Sequence, residues 1–177
     1  MDPQNLQQKQ KNLRTAPLNA PTDLGEKASK DISAALNLAL ADVYALYFKT
    51  KNFHWHMSGA NFRDLHLLLD EQASELLAMT DLLAERVRKV GGTTLRSVGH
   101  VSRMQRLSDN DADFVTPQDM LAELGQDNRA LTAALRVVHQ VCADHKDNAS
   151  VGYVDMWIDQ CERRSWFLFE LTRQFHS

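Results

Sequence analysis

The chain has 177 residues, 44% of them apolar and only 7% aromatic, with 7 glycines and 4 prolines. That length suffices for one domain with its own core, and the scarcity of turn residues favours helices over a sandwich or barrel. A net charge of −3 gives the chain as a whole no general attraction for polyanions.

Residues 1–22 are rich in Gln and Asn, contain Pro3, Pro17 and Pro21 and show no apolar period, so they read as a flexible arm ahead of one domain over 23–177. They do not resemble a signal peptide, and no stretch approaches the ~20 apolar residues of a membrane span. Cys142 and Cys161 form no closely spaced metal motif and no disulfide framework. These features predict a cytoplasmic protein with no membrane partner.

Asp23-Leu-Gly-Glu26 pairs a cap-like acid with a Glu three residues on, a helix start. Ile32, Ala35, Leu36, Ala39, Val43 and Leu46 follow helical spacing from there to about Met57. Leu40, Tyr44, Tyr47 and Phe48 form a second apolar face on the same helix, which implies burial on two sides. Ser58-Gly-Ala-Asn61 breaks it, and a second helix runs from about Phe62 to Val90, stopping at Gly91-Gly92. Residues 93–116 read as loop with a short helix near 97–104. Thr116-Pro117 starts a third helix, to about His145, and a fourth spans about 153–175. Four long helices without a strand signal predict an all-α four-helix bundle, with a long crossover between helices two and three.

The second helix carries His66, Asp70, Asp81 and Glu85. At about 100° per residue all four fall on one arc, but Asp70 and Asp81 stand about 16 Å apart along the axis, too far for one metal site. The spacing is palindromic: 66 mirrors 85 and 70 mirrors 81. A twofold axis through the helix midpoint would therefore bring His66 and Asp70 of one chain to Asp81 and Glu85 of another, giving two equivalent sites per dimer. His54, at the end of the first helix, reaches the same place if the two helices pack antiparallel, and Trp55 would then sit beside the metal. Two imidazoles and three carboxylates suit iron, manganese or zinc and argue against a soft-metal thiolate site. The plainer reading of such acids, four apart on a helix, is a solvated face.

The run HWHMSGANFRDLHLLLDE, followed by DLLAERVRKVGG, resembles the Dps proteins, the DNA-protecting mini-ferritins of starved cells. The resemblance implies a ferritin-like bundle assembled into a hollow homo-dodecamer. It implies a ferroxidase centre with His54, His66 and Asp70 from one subunit and Asp81 and Glu85 from its neighbour. Ferrous iron would be the substrate, hydrogen peroxide the preferred oxidant, and ferric mineral the stored product. Trp55 would be an electron donor or radical trap, and Glu71 and Glu75 would face the cavity and nucleate mineral. Asp147, Asp155 and Asp159 would line an iron pore.

Lys9, Lys11 and Arg14 make the arm mildly basic, enough over twelve copies for sequence-independent, salt-sensitive DNA binding and nucleoid association. The alternative reading is a DNA-compacting nucleoid protein with weak iron chemistry. A di-iron oxidase built inside each bundle is disfavoured, since no Glu is followed three residues later by His.

Overall fold

The computed structural model describes residues 3–15 and 18–173. It contains α1 (Pro3–Thr15), α2 (Glu26–His56), α3 (Phe62–Lys89), α4 (Val98–Met104), α5 (Pro117–Asp144) and α6 (Asn148–Thr172), and no strand among the described residues. Helices α2, α3, α5 and α6 are the expected bundle. The α2–α3 and α5–α6 hairpins pack together through α2 and α5, and α4, in the crossover, lies against α2.

Most of the residues that helical periodicity assigned to the core are buried, whereas Phe62 of α3 and Phe48 on the second apolar face of α2 are exposed. Ile32, Leu36, Val43 and Leu46 of α2 meet Leu69, Leu76 and Leu83 of α3, Leu124, Leu131 and Leu135 of α5, and Val154, Trp157 and Leu168 of α6 in one core. Burying each aliphatic side chain contributes on the order of 2 kcal/mol before conformational entropy is counted. By length and composition α2 is apolar enough to cross a bilayer, which the sequence reading did not expect; half of that apolar window is buried within the bundle.

The ends of the helices follow local chemistry. Thr116 Oγ1 accepts from the Asp119 N–H at 3.1 Å, with Pro117 at the first position of α5, as its sequence predicts. At the end of α3, Gly91 adopts φ 88°, and a Cβ on Gly92 would stand 1.9 Å from Ser33 Oγ. Only glycine allows the chain to leave α3 so close to α2.

Three boundaries differ from expectation. Residues 3–15 form α1 within the stretch read as an arm: Pro3 suits the first helical position, and Gln, Lys and Leu lose little rotamer freedom in a helix. The start of α2 has no side-chain cap; Gly25, at φ 84°, takes that place instead of the Asp23–Glu26 pair. Helix α6 begins at Asn148 rather than near residue 153, because Asp147 Oδ1 caps it by accepting from Ser150 N–H at 3.1 Å. Phe175 and His176 lie outside the described residues.

Candidate metal centre on the outer face of the bundle

The turn between α2 and α3 folds the two helices against each other, with Gly59 at φ 95° and its carbonyl accepting from Phe62 N–H at 3.1 Å. Antiparallel packing brings His54 of α2 beside His66 of α3. Their rings stack at 3.7 Å between centroids, 23° from parallel. His54 Nδ1 lies 2.8 Å from the His66 carbonyl, and His66 Nδ1 lies 2.9 Å from the His54 carbonyl. A carbonyl oxygen only accepts, so each Nδ1 must carry the hydrogen. In the neutral ring this leaves the Nε2 lone pair free, the usual arrangement of a metal-binding histidine held by a backbone acceptor.

Asp70 stands one turn along α3, its Oδ1 3.9 Å from His54 Nε2. The same oxygen accepts from Lys51 Nζ at 2.7 Å. That hydrogen bond, and the charge behind it, hold the Asp70 carboxyl below its ordinary range. Lys51 Nζ also lies 5.9 Å from the centroid of the Trp55 ring, which meets Phe48 edge-on at 6.1 Å. Lys51 thus links the candidate ligand Asp70 to the neighbouring tryptophan.

Asp81 and Glu85 extend the same outward stripe. Leu69, Leu76 and Leu83 point into the core, whereas Asp70, Ser74, Leu77, Asp81 and Glu85 are exposed. Glu85 accepts from Lys89 Nζ at 2.7 Å, one turn away, which raises the lysine's proton affinity. Asp81 has no hydrogen bond or ion pair with a described residue. Among the described residues, no three His, Cys, Asp or Glu side chains of one chain are grouped to hold a metal. The structure therefore brings His54, His66 and Asp70 together and leaves Asp81 and Glu85 further along the same helix.

Large apolar side chains surround this face. Phe48 is 64% exposed, Trp55 56%, Leu67 51%, Leu77 46% and Phe62 44%. Phe62 also packs 5.0 Å from the His66 ring. A monomer gains nothing by leaving such a patch in water.

The remaining expected residues have other partners. Arg163 donates to Glu71 Oε1 at 2.8 Å and also to Glu75, while the buried Arg164 reaches Glu75 at 3.2 Å. Arg164 is anchored by Asn128 Oδ1 at 2.9 Å and by Cys161 Sγ at 3.0 Å. Both carboxylates expected to nucleate mineral are thus neutralised from α6. Asp147 is buried, bound to Arg86 at 2.5 Å, and caps α6, so its carboxylate is engaged within its own chain. Asp155 is exposed and pairs with His139 at 3.3 Å; Asp159 is exposed. Lys9 and Lys11 are exposed on α1, and the Arg14 side chain lies outside the described residues. Both cysteines are free and buried, and burial pushes the Cys142 thiol up to about 11.

Sequence reasoning missed Lys51 and Lys89. The Glu85–Lys89 spacing was legible as a pair four apart. The Lys51–Asp70 contact needed the hairpin.

A four-helix bundle with a long crossover and a face of imidazoles and carboxylates defines a ferritin-like protein. The chain belongs to that family, whose ferritin-like domain matches residues 33–176. Within it, the chain groups with the Dps proteins. It is 28% identical over 145 residues to DNA protection during starvation protein 1 of Deinococcus radiodurans, covering 82% of this chain and 70% of that one. It is 31% identical over 146 residues to an uncharacterized low temperature-induced protein of Nostoc sp., 82% of each. DpsC from Streptomyces coelicolor superposes with a TM-score of 0.82 at 27% identity, over 85% of this chain and 88% of that one.

Proposed function

We propose that this protein is an iron-storing ferroxidase. Two copies would face each other across the outward stripe of α3, so that His54, His66 and Asp70 of one meet Asp81 and Glu85 of the other. The observation that carries this reading is the reciprocal hydrogen bonding of His54 and His66, which turns both Nδ1 atoms to backbone carbonyls and leaves each Nε2 for a metal, His54 Nε2 standing 3.9 Å from Asp70.

Ferrous iron is the substrate. Two ferrous ions pass one electron each to hydrogen peroxide, which with two protons leaves as two waters, and the ferric product is stored as mineral inside a dodecameric shell. Consuming ferrous iron and peroxide together removes both reagents of hydroxyl-radical chemistry and so protects DNA. The histidines and carboxylates orient and neutralise the ions, since carboxylate oxygens tolerate both iron charges. Lys51 holds Asp70 until a ferrous ion displaces the ammonium, one cation exchanging for another. Where only one ferrous ion is bound, Trp55, next to that lysine, would supply the second electron that peroxide needs.

A stopped-flow trace of ferric absorbance tests the reading, with wild type and Asp81→Ala mixed with ferrous iron and peroxide. Fast growth lost in the variant supports the intersubunit site; equal, slow traces refute it. A second reading, cytoplasmic DNA compaction, draws on the exposed Lys9 and Lys11 of α1. It predicts sequence-independent binding that weakens steeply with salt and survives loss of the iron site.

A further inference from the structure

The ammonium of Lys51 stands between two groups of the metal centre. It donates to Asp70 Oδ1 on α3 at 2.7 Å and at the same time lies over the Trp55 ring, 5.9 Å from the centroid. The contact with the ring follows from spacing, since Lys51 and Trp55 stand four apart on one face of α2. The contact with Asp70 does not, because that carboxylate arrives from the other helix of the hairpin. Phe48, three residues before Lys51 on the same helix, meets the indole edge-on at 87°.

The two contacts differ in strength. A charged hydrogen bond at 2.7 Å sets the position of the ammonium, whereas 5.9 Å is near the limit of about 6 Å at which a ring draws a cation. Asp70 therefore holds the lysine over the indole. With the carboxylate taken away, the ring alone competes poorly with water for an ammonium on a flexible stem.

A cation in that place has a redox consequence. Loss of an electron puts positive charge on the indole, and a unit charge 5.9 Å away makes this at least about threefold less favourable even at the dielectric constant of water. Trp166 carries no such burden. It is 59% exposed against 56% for Trp55, and no lysine or arginine among the described residues lies over its ring. Trp157, the third tryptophan, is buried.

We propose that Lys51 is a positioning residue that gates Trp55: it holds the indole in reserve while no metal is bound and releases it when a metal ion takes Asp70. The gate rests on the metal reading of this face given above. A metal ion on Asp70 removes the anion that anchors the ammonium and repels the cation itself, so the lysine turns out to water. With one ferrous ion bound, that ion and the indole then pass one electron each to hydrogen peroxide. The indole N–H gives up its proton, solvent supplies the second, and two waters form, leaving a ferric ion and an indolyl radical. Without metal, the tryptophan is shielded from oxidants that would consume it when there is no iron to oxidise.

Competition between two tryptophans of the full-length, assembled protein tests this without iron turnover. A neutral one-electron oxidant is generated by light, and the irreversible products at Trp55 and Trp166 are measured by mass spectrometry. In metal-free protein, Lys51→Gln should raise the ratio of Trp55 to Trp166 oxidation at least about twofold over wild type. Lys51→Arg, which keeps a cation beside Asp70, should retain the wild-type ratio. Saturating zinc, redox-inert and suited to the same donors, should raise the ratio in wild type towards that of Lys51→Gln. In Lys51→Gln zinc should not raise it, because the metal's own charge only hinders oxidation of a nearby ring. Equal ratios in metal-free wild type and Lys51→Gln would overturn the proposal. So would a wild-type ratio that zinc leaves unchanged or lowers while calorimetry shows zinc bound. Absence of zinc binding by calorimetry would instead remove the metal site itself, and the gate with it.

Discussion

Lys49 and His54 lie five residues apart on α2, yet their surroundings are opposite in kind. Lys49 is turned inward, its side chain 5% exposed, and its ammonium meets Glu123 Oε1 at 2.8 Å and Asp127 Oδ2 at 2.7 Å on α5. Asn110 completes the cluster by donating to Glu123 at 2.7 Å. Every charge there has a partner from the same chain. His54 is also buried, but its Nε2 lies 3.9 Å from Asp70, a half-exposed carboxylate of the outer stripe, and Asp81 on that stripe has no partner among the described residues. A closed network of charge stabilises a fold, whereas an open one is available to bind something else. The comparison separates structural from functional polar residues within two turns of one helix.

The closed side gives the largest predicted effect. Lys49→Ala strands two carboxylates in a half-buried site and should cost about 3–5 kcal/mol of stability, as breaking a buried pair does. Urea unfolding at fixed protein concentration measures it; a loss below about 1 kcal/mol would show the cluster to be solvated and its closure unimportant. Iron oxidation per folded subunit should hardly change. The open side predicts the converse. Asp81→Ala removes an exposed side chain with no partner among the described residues, so the melting temperature should stay within a few degrees while peroxide-driven iron oxidation falls at least about 100-fold. His54→Ala should lower the rate as far, with some loss of stability because His54 is buried.

Alkali probes the closed side more gently. Burial pulls the Lys49 ammonium towards deprotonation, but its hydrogen bonds to Asp127 and Glu123 outweigh that and hold its pKa above the ordinary 10.5. Burial meanwhile pushes the Asp127 carboxyl up, with Lys49 offsetting only part of the shift. A raised lysine contributes stability that is complete below its unfolded value and disappears as pH rises through the folded one. Wild type should therefore lose stability above pH 10.5 more steeply than Lys49→Met, measured by urea midpoints across that range.

The two sides were not equally legible in the sequence. The palindrome of His66, Asp70, Asp81 and Glu85 marked the outer stripe, because helical periodicity alone puts those residues on one face, and most of the core stripes of α2, α3 and α6 follow the same rule. The Lys49 cluster depends on α2 meeting α5 across 74 and 78 residues of chain, a pairing that no local pattern encodes. The early start of α6 was missed for a related reason. Asp147 reads equally well as a surface acid until Arg86 of α3 is seen to hold it. Glu71 and Glu75 looked free for the same lack of a tertiary partner, supplied here by Arg163 and Arg164. Periodicity reveals which face a residue occupies; it does not reveal which charge arrives opposite.

Lys51 lies between the two regimes and gives the smallest effect. Its ammonium closes the Asp70 end of the open site at 2.7 Å, but the pair is exposed enough for water and salt to weaken it. Such exposed pairs contribute little, so removing the lysine should tighten ferrous binding by no more than about fivefold. Lys51→Gln should show that gain in equilibrium titrations at low ionic strength. The gain should shrink towards nothing in about 0.5 M salt, where screening already weakens the competitor in wild type. A variant that binds iron more weakly would mean that Lys51 positions Asp70 for the metal rather than competing with it, and the outer face would then be partly closed by design like the cluster beneath it.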